Sequence, residues 1–205
     1  MSLPQVLLAT RNAHKLAELR RILAGTGADL DLLGLDDVPA YDEAPETGAT
    51  FAANALAKAR DGARHTGLPT VADDSGLAVE ALNGMPGVLS ARWAGRHGDD
   101  PANLRLILDQ LVDVPARRRR AAFVCAAALV TPTGAEQVVE GRMEGVIIEG
   151  PRGDGGFGYD PIFVADGQAR SNAELSPEEK DAISHRGAAL RALAPVLTAR
   201  VAAGA

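Results

Sequence analysis

Asp73, Asp74 and Ser75, followed by Gly76 and flanked by apolar, β-prone runs, are the residues of this chain best equipped for chemistry. Carboxylate oxygens suit a hard cation such as Mg²⁺, which keeps several waters and is usually completed by substrate phosphates. The matching phosphate groups are also present. An apolar segment at 6–9 runs into Thr10, Arg11, Asn12, Ala13, His14 and Lys15, a strand-to-helix passage that aims backbone N–H groups and a lysine at an anion. Read alone, the Asp-Asp-Ser-Gly stretch also makes an ordinary turn between two strands.

Two later segments carry further candidates. Gly153, Gly155, Gly156 and Gly158 surround Phe157 and lead into Tyr159, Asp160 and Pro161. The pattern lacks the Gly-Lys-Ser/Thr of a Walker loop, and it does not open a helix as a dinucleotide fingerprint does. Glycines that let the backbone approach a ligand, with Phe157 as a stacking platform, suggest a base-binding loop; a bulged turn with a core Phe is the other reading. Downstream, Lys180, His185 and Arg186 place three donors close together, either as a solvated helix face or as ligand contacts.

Elements that could position these groups are legible in the pattern. A strand is predicted at 5–9, then a helix capped by Asn12 with Leu16, Leu19, Ile22 and Leu23 on one face, ending near Gly25. A second strand is predicted at 30–35. A helix at 47–64 has Phe51, Ala55, Ala59 and Ala63 in register and puts Asn54 and Lys58 on one face. Strands at 70–72 and 77–82 bracket the acidic turn. Asp100 caps a helix that has Pro101 at its first position. Strands at 120–131 and 137–148 form a hairpin through Pro132, Thr133 and Gly134, a short strand follows at 161–164, and Ser176 with Glu179 makes a capping box. Residues 84–95 read as a partner surface or a core strand. Helices alternating with strands and then yielding to a hairpin indicate a mixed α/β sheet.

Composition narrows the function. The 205 residues suffice for one sizeable core, and no linker divides them, so a single domain over 1–205 is expected. A net charge of −6 argues against a sequence-indifferent binder of a nucleic acid polymer; the arginines at 117–120 read as a solvated strand entrance. Cys125 is the single cysteine, expected to be buried and inert. With no signal-peptide pattern and no long apolar stretch, a soluble cytoplasmic protein without a membrane partner is expected.

Taken together, the blocks resemble the inosine triphosphate pyrophosphatase-like enzymes. Thr10, Asn12 and Lys15 are similar to that family's Ser/Thr-x-Asn-x-x-Lys start, and Glu46-Thr47-Gly48 with Phe51, Asn54 and Lys58 to its second block. Asp73-Asp74-Ser75-Gly76 resembles the acidic centre, followed in order by Gly84-Met85-Pro86-Gly87, Ser90-Ala91-Arg92, Gly155 to Pro161, and Ser184-His185-Arg186-Gly187. Arg11, His14 and Trp93 fall where the pattern tolerates variety.

The resemblance implies an elongated α/β fold, a mixed β-sheet flanked by helices, with two lobes and a nucleotide-binding cleft between them, usually in a homodimer. It implies Mg²⁺-dependent hydrolysis of non-canonical purine nucleoside triphosphates (ITP, dITP, XTP) to the monophosphate and pyrophosphate. Glu46 and Asp74 would hold Mg²⁺, Asp73 would support them, and Asp74 would also activate water. Thr10, Arg11, Asn12, Ala13, His14, Lys15 and Lys58 would hold the triphosphate, and Ser75 would fix a phosphate or the turn itself. Phe157, with Gly158 and Tyr159, would carry the purine, whose edge Asp160, Lys180, His185 and Arg186 would read. Donors there favour a 6-oxo acceptor over the amino group of adenine. Competing readings are a pyrophosphatase for other modified nucleotides, as in the Maf-type proteins, and a nucleotide-sensing or RNA-binding module using the arginines at 117–120.

Overall fold

A strand covered on both sides needs apolar side chains pointing both ways, and the first strand has them. In the computed structural model, which describes residues 3–27, 29–42 and 45–202, β1 (Gln5–Leu8) buries Val6, Leu7 and Leu8 completely. It pairs in parallel with β2 (Asp31–Leu33) on one side and β3 (Thr70–Val79) on the other. The remaining strands are β4 (Met85–Pro86), β5 (Arg120–Val130), β6 (Glu136–Ile147) and β7 (Phe163–Ala165). The order is β2-β1-β3-β5-β6-β7, with β4 antiparallel beside β3 and β7 antiparallel to β6. Among the described residues, the α-helices that accompany them are α1 (Ala13–Ala24), α2 (Phe51–Thr66), α3 (Asp100–Gln110), α4 (Pro177–Ile183) and α5 (His185–Ala202).

The chain divides into two compact units built from interleaved segments. One comprises the described residues of 1–74, 125–141 and 186–205; the other comprises 75–124 and 142–185. In the first unit, strand alternation sorts the core into two layers. Val6, Leu8, Val71, Cys125, Ala127 and Leu129 meet Leu19, Ile22 and Leu23 of α1 and Leu190, Leu193 and Leu197 of α5. Leu7, Ala9, Ala72, Ala126, Ala128 and Val130 meet Ala55, Ala59 and Ala63 of α2. Truncating one of the fully buried leucines to alanine costs about 2–5 kcal/mol. In the second unit, Leu77 and Val79 pack with Ile107, Leu111, Phe123, Met143, Ile147, Tyr159, Ile162 and Phe163, the rings of Phe123 and Phe163 lying 4.8 Å apart.

The helix ends follow the sequence closely. Asn12 accepts the Lys15 amide at 3.1 Å, Thr50 accepts that of Ala53, Gly67 closes α2 with φ 67°, and Ser176 and Glu179 form the expected box. The α3 cap is Asp99, one residue before the expected Asp100.

Three expectations are corrected. Residues 70–79 are one unbroken strand, without a turn at Asp73-Asp74-Ser75-Gly76. β3 is paired with β1 at Thr70 and Val71 and with β4 at Ala78 and Val79, and has β5 as its other neighbour in the sheet, so the strand runs through the acidic stretch against its local turn preference. Gly76 serves close approach instead: a Cβ there would lie 2.2 Å from Ser90 Oγ. The stretch 84–95 is not a core strand, but the two-residue β4 followed by a 3-10 segment at Gly87–Arg92. Finally, Arg119 is not a solvated charge. It is 5% exposed, and its guanidinium donates to Val114 O at 2.7 Å and Leu111 O at 2.8 Å, supplying donors to carbonyls just past the end of α3. Among the described residues no helix is long and apolar enough to cross a membrane.

Candidate active site

Adjacent residues in a strand point to opposite faces, so Asp73 and Asp74 of β3 meet different neighbours. Asp73 is fully buried, and its Oδ2 lies 3.2 Å from Lys15 Nζ of α1 and 3.3 Å from Arg186 Nε of α5. Arg186 also pairs with Glu18 of α1, and all three of Glu18, Asp73 and Arg186 are buried. Burial alone would raise the Asp73 pKa, but Lys15, Arg186 and Lys58 outweigh it and hold the carboxyl well below the usual carboxylate range. Burial acts against the Arg186 charge too, and Asp73 and Glu18 overcome it. Cys125 lies beside this group; burial, then the Asp73 charge, pushes its thiol up to about 12, so the cysteine is inert as expected.

Asp74 turns instead toward α2. Its Oδ2 accepts from Asn54 Nδ2 at 2.8 Å, and its Oδ1 stands 4.0 Å from Lys58 Nζ. Lys58 also binds Glu46 Oε1 at 2.7 Å. Asn54 fixes the loop before α2 as well, accepting the Gly48 amide at 2.7 Å. The Asp74 pKa is raised above its ordinary value, because burial and the nearby Glu46 outweigh Lys58, the Asn54 hydrogen bond and Lys15. Burial would lower the Lys58 pKa, but Asp73, Asp74 and Glu46 raise it, so the lysine stays charged.

Glu46 and Asp74 thus converge on a single cationic group, the Lys58 ammonium. Among the described residues no group of three or more His, Cys, Asp and Glu side chains is arranged to hold a metal. A pair of carboxylates completed by phosphate oxygens and water is the usual provision for Mg²⁺, so the donor set fits that ion. Asp73, expected to support a metal from beside Asp74, projects to the other face of β3 and is engaged by Lys15 and Arg186.

At the head of α1, Thr10 Oγ1 accepts the Asn12 amide at 3.3 Å, and Arg11, Asn12, Ala13 and His14 are exposed. This end of the helix therefore presents amide groups and the Lys15 ammonium on the same turn. Ser75, expected near phosphate, lies half-buried in β3 in the second unit.

The glycine loop belongs to that second unit. Phe157 is half-buried, and Lys180 Nζ sits 4.7 Å from its ring centroid. Asp160 collects three donors: the Phe157 amide at 2.9 Å and Lys180 Nζ at 2.6 Å on Oδ2, and Asn172 Nδ2 at 3.2 Å on Oδ1. Gly156 has φ 70°, and a Cβ there would meet Asp160 Oδ2 at 2.3 Å. The Gly158 amide donates to Asp100 Oδ2 at 2.8 Å. The His185 ring stacks on Phe123 at 5.0 Å. Tyr159, expected against the substrate, is a core residue whose hydroxyl donates to Ser90 O at 2.8 Å; burial, then Asp100, raises its pKa. An aromatic followed by Asp-Pro-Ile and a strand reads equally as core, which the motif alone did not separate.

These arrangements have a known setting. The model of the Ham1 family matches residues 6–196. The chain belongs to the Ham1 family. This Ham1-family chain is 66% identical over 200 residues to the dITP/XTP pyrophosphatase of Nocardia farcinica, covering 97% of each. The solved structure of a nucleoside-triphosphatase, or dITP/XTP pyrophosphatase, from Mycobacterium abscessus shares 63% identity at a TM-score of 0.75, covering 94% of this chain and 98% of that one. A HAM1 protein from Coxiella burnetii shares 42% identity at a TM-score of 0.85, covering 96% and 99%.

For this Ham1-family chain, sequence reasoning missed Glu18, Asn172 and Asp100. Glu18 carried a signal, being three residues from Lys15 and next to the buried Leu19 on an amphipathic helix. Asn172 and Asp100 carried none, because their partners Asp160 and Gly158 are distant in sequence or reached only through the fold.

Proposed function

We propose that the chain hydrolyses non-canonical purine nucleoside triphosphates such as ITP, dITP and XTP to the monophosphate and pyrophosphate, removing deaminated purines from the nucleotide pool. The observation that carries the reading is Asp74: a buried carboxylate with a raised pKa, oriented by Asn54 and facing Lys58 and Glu46. Such a group is suited to orient a water and to accept its proton at a carboxylate oxygen as the water attacks phosphorus. Lys15, Lys58, Thr10 and the first amides of α1 hold the triphosphate and offset the charge that develops on the leaving pyrophosphate. Glu46 and Asp74 would hold Mg²⁺, which would supply further neutralisation of the phosphate oxygens.

A purine nucleoside triphosphate has a polyanion at one end and an aromatic base at the other. The first unit of the fold carries groups for the polyanion; the second carries Phe157 as a stacking platform, with Lys180 and His185 as donors for a 6-oxo edge. Arg186, expected at the base edge, lies instead in the first unit, buried between Asp73 and Glu18, and is left out of the base-reading set. The name dITP/XTP pyrophosphatase borne by a relative at 66% identity supports the substrate class. The resemblance of its motifs to the inosine triphosphate pyrophosphatase-like enzymes adds a cytoplasmic homodimer to this reading. A pyrophosphate-release assay over ITP, XTP, dITP, GTP and ATP, with and without Mg²⁺, tests the proposal. Metal-dependent turnover of ITP or XTP well above that of ATP is expected; saturable binding without turnover would sink it.

A further inference from the structure

We infer that Asp100 is a positioning residue for the base platform, holding the Phe157 loop in place by accepting the Gly158 amide. The inference rests on the reading of Phe157 as the purine-stacking side chain. Gly153, Gly156 and Gly158 all have positive φ, so the segment around Phe157 has little conformational preference of its own. A stacking ring is useful only if it is held still before the base arrives, because ordering it on binding would weaken affinity.

Two backbone amides fix the ring. The Phe157 amide donates to Asp160, only three residues along the same loop. The Gly158 amide donates to Asp100, 58 residues away in sequence on the first turn of α3. That helix is anchored in the core of the second unit through Ile107 and, just past its end, Leu111, both fully buried. Asp100 is therefore the tether from a rigid element to the loop, through a carboxylate-to-amide bond of the stronger, charge-assisted kind. A carboxylate on the first turn also complements the helix dipole, so hydrogen bonding and charge must be separated by the choice of variant.

The test is steady-state kinetics on ITP with Asp100→Ala, Asp100→Asn and Phe157→Ala, together with amide hydrogen exchange at Gly158. Asp100→Ala should raise KM about tenfold, as the loss of one charge-assisted bond implies, with kcat within a factor of about three. The ITP to ATP preference should not change, because a stacking face does not read base edges. Asn retains an acceptor oxygen, so Asp100→Asn should restore KM to near the wild-type value and keep the Gly158 amide protected. Asp100→Ser, which suits a helix start but is too short to reach Gly158, serves in place of the alanine variant should that one not fold.

A raised KM in Phe157→Ala beside an unchanged KM in Asp100→Ala would overturn the inference alone. So would an Asp100→Asn variant as impaired as Asp100→Ala, which would assign the effect to charge. A wild-type KM in Phe157→Ala would overturn the stacking reading and, with it, this inference.

Discussion

Asp73 and Asp74 are chemically identical neighbours with opposite electrostatics, and the pleat of one strand is the cause. Asp73 faces Lys15 and Arg186 and stays ionised; Asp74 faces one amide and one lysine and is pushed upward by burial. Asp74→Asn keeps the shape but removes the proton acceptor, so kcat should fall by about 10² to 10⁴ in a folded protein. Near-normal turnover would remove Asp74 from the chemistry. In the metal-free protein the Asp74 carboxyl should titrate above the ordinary aspartate value of about 3.9, as followed by its carboxyl NMR resonance without Mg²⁺. The base form is lost as pH falls through the raised pKa. Lys58 is the strongest opposing influence on that pKa, so Lys58→Ala should raise the titration further. A titration that did not move would contradict the coupling of the two groups. Glu46→Gln should shift the Mg²⁺ titration to higher concentration, and an unchanged titration would exclude Glu46 as a ligand.

At the scale of elements, Glu18, Asp73 and Arg186 join α1, β3 and α5 through charges that are almost wholly out of water. Replacing Arg186 with Met leaves two buried carboxylates without their shared cation, a change that costs about 3–5 kcal/mol. Urea unfolding at pH 7 measures it, and a loss below about 1 kcal/mol would mean that water or other groups compensate. The sign of the pH dependence follows from the lowered pKa of Asp73. Its contribution is complete above about pH 4, the unfolded value, and is lost only as pH falls through the lower folded value. The deficit of the Met variant should therefore narrow in acid, as Glu18 and Asp73, deprived of the Arg186 charge, become protonated.

Across the whole molecule, the two chemistries of the proposed substrate fall in separate units, with Lys15 and Lys58 in one and Phe157 and Lys180 in the other. Kinetic effects should divide along the same line. Lys15→Ala and Lys58→Ala remove charge from the polyanion end and should lower kcat/KM for ITP and XTP in equal proportion. Lys180→Ala removes a donor at the base end and should narrow the ITP to ATP ratio, by up to about 1–3 kcal/mol of discrimination, chiefly through ITP. A Lys15 variant that altered the ITP to XTP ratio, or a Lys180 variant that did not alter the ITP to ATP ratio, would reverse the assignment.

Local chemistry made much of this legible in the sequence. Caps at Asn12 and Ser176, the leucine stripe of α1, the alanine stripe of α2 and the 120–131 hairpin strand depend on neighbours within a few residues, and they appear within a residue or a few of where the pattern put them. The residue types at 73–74, 46, 15 and 58 likewise carried the chemistry without a fold. What only the tertiary structure decided was which partner each group meets. The Asp-Asp-Ser-Gly stretch is turn-like by composition, yet it is strand because the sheet holds β3 through β1 at one end, β4 at the other and β5 beside it. That pleat sends Asp73 to Lys15 and Arg186 and Asp74 to Asn54 and Lys58. Arg119 looked solvated beside its three arginine neighbours, and is buried because its guanidinium donates to the Val114 and Leu111 carbonyls past the end of α3. Tyr159 and Asp100 read as a ligand contact and a cap, and became a core ring and a loop tether. Hydrogen bonds and ion pairs between segments tens of residues apart leave no periodicity, so only the folded chain reveals them.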